Sequence, residues 1–421
     1  MSRIVISTVG STGDLLPFIA LGQGLKTRGH SVLFAVSATM HPTIQKAGLD
    51  VIECGPALGE QDARLRPEVF EGNKPFRQGQ IMMLEWLIPP LAAAYAQLLH
   101  ACKGADLLIA TTIQFAAPMV HEKLGLHWIS VSLSASQFPT DYESPILWPS
   151  SSMVFMNRLG WWTAKTVLRK SFLPALNRVR VRLGFRPLKG APVIDDLSSE
   201  LILLASSPHF SPPRPDWDAR VKMTGFWFYD GQEQIEWQPG EELRKFIDHG
   251  EKPVVLSLGS MVEKDPERTV QLHAEAVTRL KRRLIIQQGW ARLDTAKLGA
   301  LLNSGQVIGA GFLPHDWLFS HAAAVIHHGG AGTTARALRH GCPMLLEPHG
   351  FDQPYNARRI GELHAGVVIP AHRVTQRELE RKLPVVFSAE TRSNVERLGR
   401  KIREENGVGK ACELIEEIIR K

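Results

Sequence analysis

Short runs of contiguous apolar residues, each closing on a small-residue turn and followed by a stretch of helical period, recur along this chain. The first, Ile4 to Val9, leads through Gly10-Ser11-Thr12-Gly13-Asp14 into the helix-patterned Leu15 to Arg28 and then the apolar Val32 to Val36. Unbroken apolar runs of this length fit strands buried on both faces, and strands separated by helical segments build parallel sheets. The cadence resumes with a strand over Asp106 to Ala110, a helix over Phe115 to Leu124 and a strand over Trp128 to Leu133. A second series opens near Pro253 with Val254-Val255-Leu256-Ser257-Leu258-Gly259-Ser260. It continues through Leu284-Ile285-Ile286, Ala324-Val325-Ile326 and Pro343-Met344-Leu345-Leu346. The pattern predicts an α/β protein of two doubly wound domains.

The rhythm breaks between about 139 and 186, where Trp148, Phe155, Trp161, Trp162 and Phe172 stand among basic residues at mostly helical spacing, as in inserted helices. Tyr229 to Gly240 is polar and rich in breakers and marks a domain boundary. A chain of 421 residues is too long for one ordinary core. The expected division is a first domain over 1–230, a linker over 231–250, a second domain over 251–390, and a helical segment over 391–421 that crosses back to the first domain. No solenoid-length repeat is present.

Composition narrows the picture a little. With 49 Lys+Arg against 42 Asp+Glu the net charge is +7, a modest excess that suits anionic ligands or surfaces. No basic stripe interleaved with aromatics tracks a nucleic-acid backbone, so no nucleic-acid partner is expected. Cys54, Cys102, Cys342 and Cys412 lack the spacing of a zinc site or a disulfide framework, which fits free thiols in a reducing cytoplasm. Met1-Ser2-Arg3 runs directly into the first strand without a signal-peptide pattern, and no window holds the ~20 apolar residues of a membrane span. The expectation is a cytoplasmic protein, soluble or peripheral to a membrane.

The chemistry concentrates in His327-His328-Gly329-Gly330-Ala331-Gly332-Thr333-Thr334 and Glu347-Pro348-His349-Gly350-Phe351-Asp352-Gln353-Pro354. The apolar run before His327 delivers the first box to the carboxyl end of a strand, where open α/β sheets bind ligands. Amides of Gly330, Ala331, Gly332 and Thr333 open the next helix and can face a pyrophosphate, with a histidine to neutralise charge. An Asp-Gln pair offers acceptors and donors to adjacent hydroxyls. A glycine-rich turn needed only for packing is the plainer reading.

From Gly311 to Gln353 the chain resembles the donor-binding box of nucleotide-sugar glycosyltransferases of the GT-B fold, in which two Rossmann-like domains face each other across a cleft. Within that superfamily, Phe312-Leu313-Pro314-His315-Asp316-Trp317-Leu318-Phe319 and the His-His-Gly-Gly box are similar to sterol glucosyltransferases. The loop Gly10-Ser11-Thr12-Gly13-Asp14-Leu15-Leu16-Pro17 is similar to theirs also. Met223-Thr224-Gly225-Phe226 with Asp230-Gly231 resembles bacterial rhamnosyltransferases. Residues 60–100 and 139–190 lie outside the resemblance.

The resemblance implies an inverting hexosyltransferase with no cofactor and no metal, using a nucleotide sugar, UDP-glucose favoured, as co-substrate. His328 would bind the diphosphate with Gly330, Ala331, Gly332, Thr333, Gly259 and Ser260. Asp352 and Gln353 would hold the hexose, Phe312 with Leu313 and His315 the base, and Ser11, Thr12 and Gly13 would join the donor site. Plant members stack the base on Trp where this chain has Phe312, and place a ribose-binding Glu where it has Arg336, which a helix is expected to turn to solvent, with a phosphate contact as the alternative. Asp14 stands where many relatives have the catalytic His. It is expected as the base that deprotonates the acceptor hydroxyl, with a helix cap as the alternative role. His30, His121, His127, His209 and His273 read as structural, and His349 as either pocket or loop packing.

The segment from Trp161 to Phe172 pairs an apolar face with cations. It reads as core packing, as an anionic-lipid contact, or as a wall for a lipophilic small-molecule acceptor that would include Trp148, Trp161 and Trp162. Rival functions are a thymidine-donor rhamnosyl or deoxysugar transferase, a noncatalytic nucleotide-sugar binder, and a dinucleotide oxidoreductase. The last lacks its Gly-x-Gly-x-x-Gly spacing here.

Overall fold

A computed structural model describes residues 1–57, 60, 75–146, 148, 151–231 and 237–420. The chain runs β1 (Arg3–Ser7), α1 (Thr12–Thr27), β2 (Ser31–Val36), α2 (His41–Lys46), β3 (Asp50–Glu53), α3 (Pro75–Ile81), α4 (Leu91–Ala101), β4 (Leu107–Thr111), α5 (Ala117–Leu124), β5 (His127–Ser132), α6 (Val154–Arg182), β6 (Leu201–Leu204) and β7 (Val221–Met223). It continues through α7 (Glu241–Asp248), β8 (Val254–Ser257), α8 (Pro266–Arg279), β9 (Leu284–Gln287), α9 (Ala300–Asn303), β10 (Val307–Ala310), α10 (His315–Ser320), β11 (Ala324–His327) and α11 (Ala331–Arg339). Last come β12 (Met344–Leu346), α12 (Gln353–Glu362), β13 (Gly366–Val368), α13 (Gln376–Val386), α14 (Ala389–Arg403) and α15 (Gly407–Ile419).

Of the described residues, those within Met1–Gly59, Gly79–Tyr229 and Glu405–Lys421 form one compact unit, and those within Glu60–Gln78 and Asp230–Glu404 another. The second unit therefore reaches Glu404, beyond the boundary read near 390. Residues 232–236 of the expected linker lie outside the described residues, and the rest of it includes α7.

Each unit is built on one wholly parallel sheet. The first has the order β3-β2-β1-β4-β5-β6-β7, with Ile4 registered against Val32 on one side and Leu107 on the other. The second has the order β10-β9-β8-β11-β12-β13, with Val325 opposite Val255 and Met344. Strand order reverses between β1 and β4 and again between β8 and β11. At such a switch point the connections leave in opposite directions and open a crevice beyond the strand ends. The Gly10–Asp14 loop follows β1, the Gly259 loop follows β8 and the histidine box follows β11, so the sequence motifs occupy those positions.

The unbroken apolar runs are explained by cover on both faces. In β1, Ile4 and Ile6 pack with Phe18, Leu21 and Ile415, whereas Val5 packs with Leu91, Leu98 and Met119 on the opposite face, and all three strand residues are fully buried. In place of the several helices expected over 139–186, one long helix, α6, takes up 29 residues. The final helix, α15, packs on α1 so closely that a Cβ at Gly24 would lie 2.6 Å from Val408 Cγ1. Arg28 adds a two-pronged pair with Glu416, at 2.7 and 3.1 Å. Among the described residues no single helix is long and apolar enough to cross a membrane. All four cysteines are buried and free.

Candidate functional site

In the second unit β11 ends at His327, and the chain turns through Gly329, at φ +90°, to Gly330, the N-cap of α11. The first amides of a helix have no partner within it, and a glycine cap has no side chain to supply one. The N–H groups of Ala331, Gly332 and Thr333 are thus left open at the positive end of the helix dipole.

The His328 ring fills the space between this turn and the loop after β8. A Cβ at Gly330 would lie 2.4 Å from its Nε2, and one at Gly259 would lie 2.8 Å from its Cε1. These two glycines therefore make room for an imidazole, a role the sequence had assigned to an approaching anion. The ring is 7% exposed, and its Nδ1 has no hydrogen-bond partner among the described residues. Burial, then the neighbouring His327, His349 and His315, push its pKa well below the ordinary value. The expectation of a charge-neutralising histidine is corrected on this point: with no ligand bound the ring is neutral at pH 7 and offers polar nitrogens, not a charge. His327 is fully buried, held to a pKa of about 3 by burial and then His315, and accepts the Gly329 N–H at 3.1 Å. His327 Nε2 and Thr334 Oγ1 are two further buried polar atoms at this turn with no hydrogen-bond partner among the described residues.

The loop after β12 comes up beside it. Asp352 caps α12, and the Asn356 amide nitrogen, one turn on, donates to Asp352 Oδ2 and to the Gly329 carbonyl, both at 2.9 Å. Asn356 thus ties Asp352 to the histidine box. Sequence reasoning missed it, although its spacing of four from Asp352 was an available signal. Gln353 behaves differently from its neighbour. It is buried, its carboxamide oxygen accepts the His349 N–H at 2.8 Å and the Gly350 N–H at 3.2 Å, and its nitrogen lies 3.3 Å from Met261 Sδ. Asp352 is half-buried, while Gln353 holds the loop from inside.

A buried ionisable layer lies against this loop. His273, read as structural, donates from Nδ1 to the Thr269 carbonyl at 2.7 Å and from Nε2 to Glu347 Oε1 at 2.8 Å. Burial, the largest influence, lowers its pKa, but Glu347, the Thr269 carbonyl and Glu263 together outweigh it and the net direction is up. Glu263, in the loop after β8, lies 3.6 Å from His349 Nε2, and burial followed by the charge of Glu347 pushes its pKa up to about 7. Sequence reasoning missed Glu263 and gave no role to Glu347, the first residue of the second box, since nothing in their spacing links the two.

Phe312 follows β10 and is 78% exposed. Leu313 is buried, and its carbonyl accepts from Gln287, whose own carbonyl oxygen accepts from Ser257 Oγ at 2.9 Å. This fastens the ends of β8 and β9 to the Phe312 loop, while Ser260 stands half-buried after Gly259. His315 stacks on Phe319 at 4.8 Å and is held to a pKa of about 4 by burial and then by Arg336. Arg336 is the clearest correction. Expected in solvent, it is only 6% exposed, because α10 lies across that side of α11 and supplies Asp316 as its ion-pair partner, with Asp230 at 3.7 Å. Burial lowers its pKa to about 10, which still leaves it charged at pH 7.

In the first unit, α1 begins at Thr12 with Ser11 as its cap, so Asp14 stands at the third helical position and not at the N-cap that was its alternative role. Its Oδ2 accepts from the Ser11 backbone N–H at 2.8 Å and the Ser11 hydroxyl at 3.1 Å, the reciprocal arrangement of a capping box. A Cβ at Gly10, where φ is +136°, would lie 2.3 Å from the same oxygen. Burial raises the Asp14 pKa above its ordinary value, against the pull of the Ser11 bonds. Thr12 and Gly13 are exposed beside it.

Among the tryptophans, Trp161 is buried and donates from Nε1 to the Glu143 carbonyl at 2.8 Å, and Trp148 packs 3.0 Å from where a Cβ at Gly160 would stand. Trp162 faces outward, 63% exposed. His121 and His127 are engaged by the Leu126 carbonyl and Glu200, and among the described residues no three His, Cys, Asp or Glu side chains assemble as metal ligands.

Residues 4–139 match the glycosyltransferase family 28 N-terminal domain, and residues 275–413 match the erythromycin biosynthesis protein CIII-like C-terminal domain. The chain is 32% identical over 99% of its length to O-mycaminosyltylonolide 6-deoxyallosyltransferase of Streptomyces fradiae, covering 97% of that protein. It is 28% identical over 98% of its length to sterol 3-beta-glucosyltransferase of Pichia angusta, but spans only 33% of that longer chain. Its fold is similar to the glycosyltransferase of kitacinnamycin, at a TM-score of 0.76 and 20% identity over 99% of both chains. It is also similar to the spinosyn rhamnosyltransferase SpnG complexed with thymidine diphosphate, at 0.67 and 17% over 98% of this chain and 100% of that one.

Proposed function

The chain belongs to the glycosyltransferase family of these relatives and has the GT-B fold, and on that premise we propose that it moves a hexose from a nucleoside diphosphate to a hydroxyl of a lipophilic acceptor. The observation that carries the reading is the second-unit turn: three open helix amides, a neutral histidine with an unsatisfied Nδ1, and Asp352 drawn to it by Asn356. The amides and His328 receive the diphosphate, whose charge also favours a proton on His328, and the Asp352 carboxylate accepts from sugar hydroxyls. Asp14, a stronger base for its raised pKa, takes the proton of the acceptor hydroxyl as that oxygen bonds to the anomeric carbon. The bond from that carbon to the diphosphate oxygen breaks, with inversion. Relatives named for a sterol and for O-mycaminosyltylonolide support a large apolar alcohol as acceptor.

For the donor, uridine diphosphate glucose is one reading. A thymidine diphosphate deoxyhexose is the second, and Arg336 favours it: the position implied for a ribose-binding carboxylate holds a buried cation committed to Asp316 and Asp230. A thymidine donor has no 2′-hydroxyl to be held there. The test is thermal unfolding with uridine and thymidine forms of glucose and rhamnose, since a ligand bound to the folded state raises the midpoint. One base should stabilise wild type and not His328→Ala. Absence of a shift with every nucleotide sugar, together with no transfer, would sink the proposal.

A further inference from the structure

The first half of α6 carries an apolar surface that the chain itself leaves bare. Phe155, Leu159 and Trp162 recur at intervals of four and three residues, so they share one stripe of the helix. Phe155 is 70% exposed, and Met153 and Val154 extend the surface past the helix start. The opposite face is fully used. There Asn157 donates to the carbonyls of Asp141 and Ser151 and accepts the Ser144 hydroxyl, Gly160 receives Trp148, and Trp161 bonds the Glu143 carbonyl. The preceding loop is thus sewn to the inner face, whereas on the outer face Phe155 and Trp162 stand mostly exposed and Leu159 partly so.

The charges around the stripe are arranged with one sign left over. Arg158 is paired with Asp141 and Lys165 with Asp195, so the carboxylates that reach this helix are neutralised. Two turns past Trp162, Arg169 and Lys170 are exposed with no ion pair among the described residues. A bare aromatic and aliphatic stripe ending in free cations complements a surface that is apolar within and anionic at its rim. A second copy of the chain would have to bring both an apolar patch and carboxylates to the same face, and a solvent-facing helix needs no Phe or Trp.

We propose that the α6 stripe is an interfacial docking site for an anionic lipid bilayer. Phe155, Leu159 and Trp162 enter the headgroup boundary while Arg169 and Lys170 meet lipid phosphates, which keeps the enzyme where an apolar alcohol partitions. The lipid contact needs neither donor nor acceptor, so it stands or falls apart from the assignment of the reaction.

The experiment is co-sedimentation of the full chain with vesicles of phosphatidylcholine alone or with phosphatidylglycerol, at low and high salt. Wild type should pellet with the anionic vesicles and be released by salt. The double variant Phe155→Glu with Trp162→Glu should lose at least tenfold in partitioning, with an unchanged melting temperature to show that it is folded. Arg169→Glu with Lys170→Glu should lose the preference for phosphatidylglycerol. The proposal is overturned if wild type stays in the supernatant with anionic vesicles, or if the folded Phe155/Trp162 variant binds them equally. It is also overturned if sedimentation velocity without lipid shows a dimer that this variant abolishes, which would make the stripe a self-association surface.

Discussion

The helix after β1 and the helix after β11 begin beside equivalent switch points of two parallel sheets, and their first turns are filled in opposite ways. In α1 the turn is closed by its own carboxylate, since Asp14 takes the Ser11 N–H and lies against Gly10. In α11 the cap is Gly330, nothing in the turn supplies an anion, and a neutral imidazole stands beside the open amides. Two helix starts beside corresponding switch points thus differ, one already holding a negative charge and the other presenting donors. A phosphate entering the first would meet Asp14, whereas one entering the second meets only donors. The comparison explains why a base belongs to one loop and an anion site to the other.

The sharpest way to break this contrast is Asp14→Asn, which keeps an oxygen for Ser11 but cannot accept a proton. Transfer should fall by about 10²–10⁴-fold, the usual worth of a general base, while nucleotide-sugar stabilisation stays as in wild type. A variant that retains its rate would reduce Asp14 to a cap. Next in size, His328→Ala should cost about 10²–10³-fold in kcat, comparable to deleting one donor at a site of developing charge, and should weaken donor binding as well. Donor titration followed by initial rates separates the two losses.

Gly330→Ala puts a Cβ where the His328 ring now lies, at 2.4 Å. The expected penalty is about 1–3 kcal/mol in unfolding free energy with weaker donor binding, since an overpacked ring must move. An unaltered denaturation midpoint would show that the glycine serves some other need.

The smallest effect is on pH. A carboxylate with a raised folded pKa contributes stability that is present below its unfolded value, 3.8, and is lost as pH rises through the folded value. Melting temperatures of wild type relative to Asp14→Asn should therefore decline across that window, which begins near pH 3.8. A difference that grows with pH would mean that the Ser11 bonds, not burial, decide the sign.

Much of this architecture is legible in the chain because β1, β8 and β11 are uninterrupted apolar runs that end at small residues. The Leu201-Ile202-Leu203-Leu204 strand was equally apolar and still went unread, lying past the long α6 where no alternation announced it. β7, β10 and β13 are interrupted or bounded by Lys222, Gly309 and Gly366, so none holds more than two consecutive large apolar residues. Within the site, the histidine box and Asp352 could be found by pattern, but their surroundings could not. Arg336 is buried because Asp316, twenty positions earlier, happens to lie on the covering helix, and Glu263 gains its character from Glu347 and His349. Periodicity describes one helix face at a time and is silent on which distant charge will meet it. The glycines show the same limit: their presence was plain, but that they admit a histidine became visible only when two loops were placed together.

The return of α15 to α1 has a consequence for the order in which the protein is made. On a ribosome, the whole second unit emerges before the helix that covers Gly24 and its neighbours. Until then the first unit has a nascent sheet with one apolar helix uncovered, a surface that favours aggregation if translation stalls. A chain halted after Arg403 would therefore be defective in its N-terminal half, although every residue of that half had been synthesised.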